Sequence, residues 1–229
     1  MGRDFTISFG GAAGEEAALT APNATTLQVE YQSVINCYHV NSIDFDIEGA
    51  AEADQHSLKL RDQALAGLES ANPGLKVSFT VPVLPTGLDA SGLNVLQTAK
   101  NDGVRIDTVN IMAMDYGQSV DNNGQMSLDA VEAAVATERQ LANMGLVAKI
   151  GVTPMIGVND ITSEVFTPAD AQALVDYAKT DSQLALLSMW SVARDNGNGA
   201  SSHTAAPDNS GVAQQPYQYV GISQQFDHG

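Results

Sequence analysis

The chain has a single cysteine, Cys37, in 229 residues, which excludes a disulfide framework and any cysteine-based metal centre. Cys37 falls in a segment of helical periodicity, so a small core residue is expected there. Cations are scarce as well: 10 Lys and Arg stand against 27 Asp and Glu, a formal charge of -17. Such a surface repels phosphate backbones and anionic membranes, and a neutral or cationic partner fits better than nucleic acid. The plainer reading is that the acidity keeps the protein soluble. No apolar run approaches the roughly 18 residues of a membrane span. Met1-Gly2-Arg3-Asp4 leads straight into an apolar strand, so any secretion signal is expected to have been removed or never to have been part of this sequence. His39, His56, His203 and His228 have no metal-ligand spacing, and no Gly-x-Ser-x-Gly elbow occurs. No cofactor or metal is expected.

What is present is an alternation of apolar runs with helical patterns, the sign of a βα chain built on a parallel sheet. Six strands are expected: Phe5 to Phe9, Ile43 to Glu48, Lys76 to Val83, Ile106 to Met114, Lys149 to Met155 and Leu184 to Trp190. Between them, Leu27, Tyr31, Val34, Ile35 and Tyr38 recur at helical spacing, as do Leu58, Leu65 and Leu68. A shorter helix is expected over Ser91 to Lys100. Leu128, Val131, Val135 and Ala142 mark another, with Gly145 as its C-terminal cap. Thr167-Pro168-Ala169-Asp170 reads as a capped helix start. Residues 196 to 211, rich in Asn, Gly, Ser and Ala, read as an exposed loop. The length suits one domain over residues 1–229.

One strand carries the chemistry. In Ser-Ile-Asp-Phe-Asp-Ile-Glu, residues 42 to 48, Asp44, Asp46 and Glu48 take alternate positions and share a face, while Ile43, Phe45 and Ile47 take the other. Neighbouring acids lie about 6 to 7 Å apart at Cα, so their ionisations couple and one should hold a proton near neutral pH. An acid that carries a proton beside an ionised one suits general-acid catalysis. Oxygen ligands of this kind also suit a hard cation. Unusual residues fall at other strand ends too: Gly10 with Gly11, Pro82, Asp115 with Tyr116, Pro154 and Trp190. Parallel sheets bind ligands at the carboxyl ends of their strands, which points to a shared pocket. Gly10-Gly11-Ala12-Ala13-Gly14 has the look of a phosphate loop, but Arg3 is the only cation near it.

These residues resemble the family 18 glycoside hydrolases, whose chitinases carry Asp-x-x-Asp-x-Asp-x-Glu on the fourth strand of a (β/α)8 barrel. The match is Asn41, Asp44, Asp46 and Glu48, with Asn replacing the first Asp. Ser8-Phe9-Gly10-Gly11 resembles the third strand's end, Met112-Ala113-Met114-Asp115-Tyr116 the sixth and Ser188-Met189-Trp190-Ser191 the eighth. The resemblance implies a (β/α)8 TIM-barrel fold of which only strands 3 to 8 are recognisable, because nothing upstream of Phe5 supplies the first two. It implies a secreted chitinase acting on chitin or N-acetylglucosamine oligosaccharides, with Glu48 as general acid, Asp46 orienting the acetamide and Asp44 a buried partner. Gly11, Met112, Met114, Asp115, Tyr116 and Trp190 would contact substrate, and Trp190-Ser191 would be cis. Many members place a Tyr where Met114 stands, and Tyr116 is its expected substitute. An opened barrel edge would also favour self-association. The alternatives are a carbohydrate-binding protein or inactive fragment without turnover, and a hydrolase of the chitobiose core of glycans.

Overall fold

The computed structural model describes residues 5–120, 122–200 and 202–227. Arg3 and His228 lie outside these. The chain forms two compact units: residues 1–82, 89–109 and 141–148, and residues 83–88, 110–140 and 149–229.

The first unit contains β1 (Ile7–Gly10), α1 (Ala17–Thr20), α2 (Ala24–Tyr38), β2 (Ser42–Asp46), α3 (Ala50–Ala53), α4 (Gln55–Ala71), β3 (Lys76–Pro82) and α5 (Ala90–Asn101). β1, β2 and β3 are parallel neighbours in that order. Their register aligns Phe9 with Phe45 and Phe45 with Phe79. The rings follow one another at 5.3 and 5.9 Å between centroids, and Tyr31 of α2 meets Phe45 edge-on at 5.2 Å. Leu27, Leu58, Leu65 and Leu68 complete this helix-facing core with no exposed surface. Arg61 is buried there as well, its guanidinium 5.1 Å from the Phe79 ring centre and bonded to Asp62, an arrangement that desolvates both charges together. The helical stripe expected through α2 holds at Leu27, Tyr31 and Ile35 and fails at its end, where Tyr38 is 56% exposed. Cys37 is exposed too, and not the core residue its periodicity suggested, because two residues past the buried Ile35 it stands about 200° round the helix from the buried stripe.

The second unit takes most of β4 (Thr108–Ala113), which straddles the division, and α6 (Met126–Met144), whose last turn belongs to the first unit. β5 (Lys149–Pro154), β6 (Gly157–Val158), β7 (Val165–Phe166), α7 (Pro168–Ala178), β8 (Leu184–Leu187) and α8 (Gln218–Asp227) follow. β5 and β8 pair in parallel, and β6 with β7 forms an antiparallel ribbon that the six expected strands do not include. α6 buries Met126, Ala130, Ala133, Ala134 and Leu141, while Leu128 is 40% exposed. Its core stripe is therefore displaced from the one expected, onto a face of Met, Ala and Leu. Gly145, at φ +61°, ends α6 as expected, with the Leu146 N–H donating to Leu141 O. Thr167 and Asp170 form the reciprocal cap of α7.

Replacing Phe45 by Ala removes the central ring of the aromatic row. Chemical denaturation should show a loss of about 3 to 5 kcal/mol, and a loss under 1 kcal/mol would mean that the row does not organise this core.

Candidate active site

On the opposite face of β2 from Phe45, the same register places Ser8 and Ser78 beside Asp44. Their hydroxyls donate to Asp44 at 2.6 and 2.5 Å, and Thr80 donates to both its oxygens at 2.9 and 3.0 Å. Burial raises the Asp44 pKa, against the lowering effect of those hydroxyls. Two residues on, Asp46 aligns with Gly10 and with Thr80. It receives no comparable set of donors, and its buried Oδ1 lacks a partner. Burial first, then the charges of Glu48 and Asp44 and a side-chain hydrogen bond with Glu48, push Asp46 up to about 7. Near neutral pH this carboxyl is therefore close to half protonated. Glu48 reaches Asp46 through its charge and a hydrogen bond because Asp46 ends β2 and Glu48 stands two residues beyond it.

Gly10 and Gly11 set the wall of this cleft. Gly10 has φ +94°, and a Cβ there would stand 2.2 Å from Asp46 O, so β1 comes this close to β2 only with glycine. The Gly11 N–H donates to that same carbonyl at 3.0 Å. Asp46, Glu48 and Gly49 to Ala51 line a cavity of about 370 Å³ with Gly10, Gly11, Gly14, Glu15, Glu16 and Leu19. Asp44, Asp46, Glu48 and Gly11 are thus brought together. Glu16 and Glu52 are additions that the sequence did not single out. Glu52 rises to about 7 through burial, Asp89 and Glu48.

In the second unit, Met112, Met114 and Asp115 are half-buried along the end of β4, and Asp115 takes φ 50°. Its carboxylate accepts the Ile161 N–H at 2.9 Å, and its own N–H donates to Asn159 Oδ1. Tyr116 was expected to hydrogen-bond a sugar, but the ring is 6% exposed and the hydroxyl is buried without a partner. Its backbone, with that of Gly117, donates to the fully buried Glu164 at 3.0 and 2.7 Å, so this turn is organised from within. Glu164 carries no local sequence signal, since its partners lie 47 and 48 residues away. Trp190 follows β8, bridges Met155 and is 58% exposed. The Trp190-Ser191 peptide is cis, as expected. Among the described residues, no group of three or more His, Cys, Asp or Glu is arranged to hold a metal ion, and no helix is long and apolar enough to cross a membrane.

No family model matches the chain. It is 35% identical over 211 residues to a probable bifunctional chitinase/lysozyme of Escherichia coli and equally to Endochitinase 11 of Metarhizium anisopliae, spanning 85% of this chain but 23% and 40% of those proteins. The chain thus covers less than half the length of either. The catalytic domain of a hyperthermophilic chitinase from Pyrococcus furiosus superimposes with a TM-score of 0.86 at 32% identity, over 97% of this chain and 72% of that one. Catalytic-site mutants of that domain complexed with chito-oligosaccharides match at 31% identity and a TM-score of 0.85.

The raised acids carry a sign for stability. Asp44, Asp46, Glu52 and Asp62 all bind protons more tightly folded than unfolded. Their contribution is full below the ordinary carboxylate range near 4 and is lost as pH rises through each raised value, about 7 for Asp46, Glu52 and Asp62. Calorimetry at constant ionic strength should therefore give a higher Tm at about pH 5 than at about pH 8. Asp46→Asn should narrow the gap, and a gap of unchanged size would show that Asp46 titrates normally.

Proposed function

The chain belongs to the family 18 glycoside hydrolases, among their chitinase catalytic domains, and on that footing we propose that it hydrolyses β-1,4-linked N-acetylglucosamine polymers by a retaining, substrate-assisted route. The observation that carries this reading is the coupled Asp46–Glu48 pair lining a cavity, with Asp44 anchored beneath it by three hydroxyls. In such a route the 2-acetamido oxygen of the substrate attacks the anomeric carbon and the glycosidic oxygen leaves with a proton. Glu48 supplies that proton. Asp46 accepts the acetamide N–H and aims its oxygen at the anomeric carbon, and it can do so at neutral pH because its proton is exchangeable with Glu48. Asp44 stays in place as a fixed acceptor and sets the electrostatic environment of the other two.

The remaining contacts follow from the resemblance. Gly11 lets the sugar approach the backbone, Met112 and Met114 give apolar contact, and Asp115 accepts a sugar hydroxyl. The exposed face of Trp190 suits a pyranose ring, which presents C–H groups to an aromatic surface. Tyr116 acts through its backbone, holding the turn that positions Asp115. The same reading makes residues 1–229 one catalytic domain of a secreted protein whose partners are chitin or N-acetylglucosamine oligosaccharides. It includes association through unpaired strand edges such as β1, beside which Phe5 is 53% exposed. The exposure of Trp190 also favours a second reading, chitin binding without turnover.

Mass spectrometry of products after incubation with chitin oligomers separates the two readings. Cleavage that falls by about 10²- to 10⁴-fold in Glu48→Gln supports the hydrolase. Equal cleavage by the variant removes Glu48 from its role, and binding without any product leaves the binding reading. Asp46→Asn should displace the pH–rate profile as well as the rate, since it removes one member of a coupled pair.

A further inference from the structure

The loop after β1 places a carboxyl against the cavity that the proposed chemistry does not use. Glu16 is 4% exposed. Its Oε1 is met only by the Ala18 N–H and the Tyr31 hydroxyl, both at the long distance of 3.4 Å. Its Oε2 is buried and has no hydrogen-bond partner. A buried carboxylate oxygen left in this state is destabilising, and a native fold keeps one only where something else answers it. The cavity wall itself gives none: it contains Glu15, Glu16, Asp46 and Glu48 and no Lys, Arg or His, and the buried cation behind it, Arg61, which acts on Tyr31, is paired with Asp62.

The wall over Glu16 is thin. A Cβ on Gly10 would lie 3.4 Å from Oε2, so the missing side chain brings this carboxyl close behind the backbone that a ligand would touch. Glu16 is felt by its contact Tyr31, whose pKa its charge helps to raise, after the larger effect of burial. In a cleft with low-dielectric walls, charges of one sign sum rather than cancel. A neutral acetamido group gains nothing from that field, whereas an ammonium gains from each carboxylate.

We propose that the Glu16 end of this cavity is a subsite for a de-N-acetylated, protonated glucosamine unit, with Glu16 as a specificity-determining residue. This rests on the reading that a chitin-type chain occupies the cleft. The reacting sugar must keep its acetamide for the substrate-assisted step, so the cationic unit takes a neighbouring position in the chain. The preferred substrate is then partially deacetylated chitin, cut next to its charged units.

The test compares defined oligomers, fully acetylated or with one deacetylated unit, and reads the ratio of their kcat/KM values together with the cut positions by mass spectrometry. The ratio in favour of the deacetylated oligomer should fall at least about fivefold in Glu16→Gln. It should fall likewise in the unaltered protein when salt rises from about 0.05 to about 0.5 M. A purely structural Glu16, acting only as the cap of α1, would move both substrates alike and leave the ratio unchanged, which overturns the proposal. If Glu16→Gln does not fold, the salt series on the unaltered protein decides. If no oligomer is cleaved, the hydrolase reading has failed, and calorimetry of the singly deacetylated oligomer against the fully acetylated one still judges the subsite: equal affinities, or tighter binding of the fully acetylated oligomer, would reject it.

Discussion

The in-register parallel pairing of β1, β2 and β3 is the constraint on which the first unit depends. It stacks Phe9, Phe45 and Phe79 on one face and sets Ser8, Asp44 and Ser78 side by side on the other. The two rows are not independent. Three acids alternating along β2 and two residues past its end repel and resist desolvation, and the fold tolerates them because the intervening residues Ile43, Phe45 and Ile47 are fully buried, each worth roughly 1.5 to 3 kcal/mol of burial. A slip of one residue would exchange the faces, sending carboxylates into the helix-facing core and phenylalanines into the cleft. The acids are thus held where they are by what lies behind them.

Along β2 the environment changes from one acid to the next, and the roles diverge with it. Asp44 has hydroxyl donors on both neighbouring strands, so its charge is spread over fixed hydrogen bonds. Asp46 faces the backbone of Gly10 and Gly11, which offers space and no side-chain donor, and its nearest answer is the other acid, Glu48. Identical side chains on one strand therefore become an anchor and a proton-sharing group. The difference comes from the neighbours: Ser8 and Ser78 at one level, glycine at the next.

Features that depend on period or on adjacent residues were legible in the sequence. The alternation of acids with Ile and Phe gave the face of β2, the Thr167–Asp170 cap gave the start of α7, and Gly145 gave the end of α6. Features set by distant partners were not. α8 is capped by Asp195, whose carboxylate accepts the Tyr219 and Val220 N–H groups from 24 and 25 residues away, so nothing before Gln218 announces a helix. The β6–β7 ribbon is two residues a strand, too short to show alternation, and is tied down by Arg194 through Ile156 O and Val158 O. The turn at Tyr116 looked like a ligand contact because of its position after β4, and only Glu164, far along the chain, reveals that it is clamped from behind.

The treatment of buried ions elsewhere in the chain sharpens the meaning of Glu16. Asp195 is 2% exposed and is answered by backbone N–H groups and by Gln214. Glu164 receives two backbone N–H groups, Arg194 is spread over three carbonyls, and Arg61 and Asp62 neutralise each other. These ions are answered in the main, although Arg61 Nη1, Asp62 Oδ2 and Asp46 Oδ1 are buried without a hydrogen bond as well. Glu16, like Asp46, borders a cavity whose wall holds no cation and leaves an oxygen unpaired, and it is the more deeply buried of the two. Had its function been only to cap α1, a serine or aspartate would serve with less buried charge. The longer carboxyl, placed behind a glycine, makes physical sense as a charge presented to whatever enters the cleft.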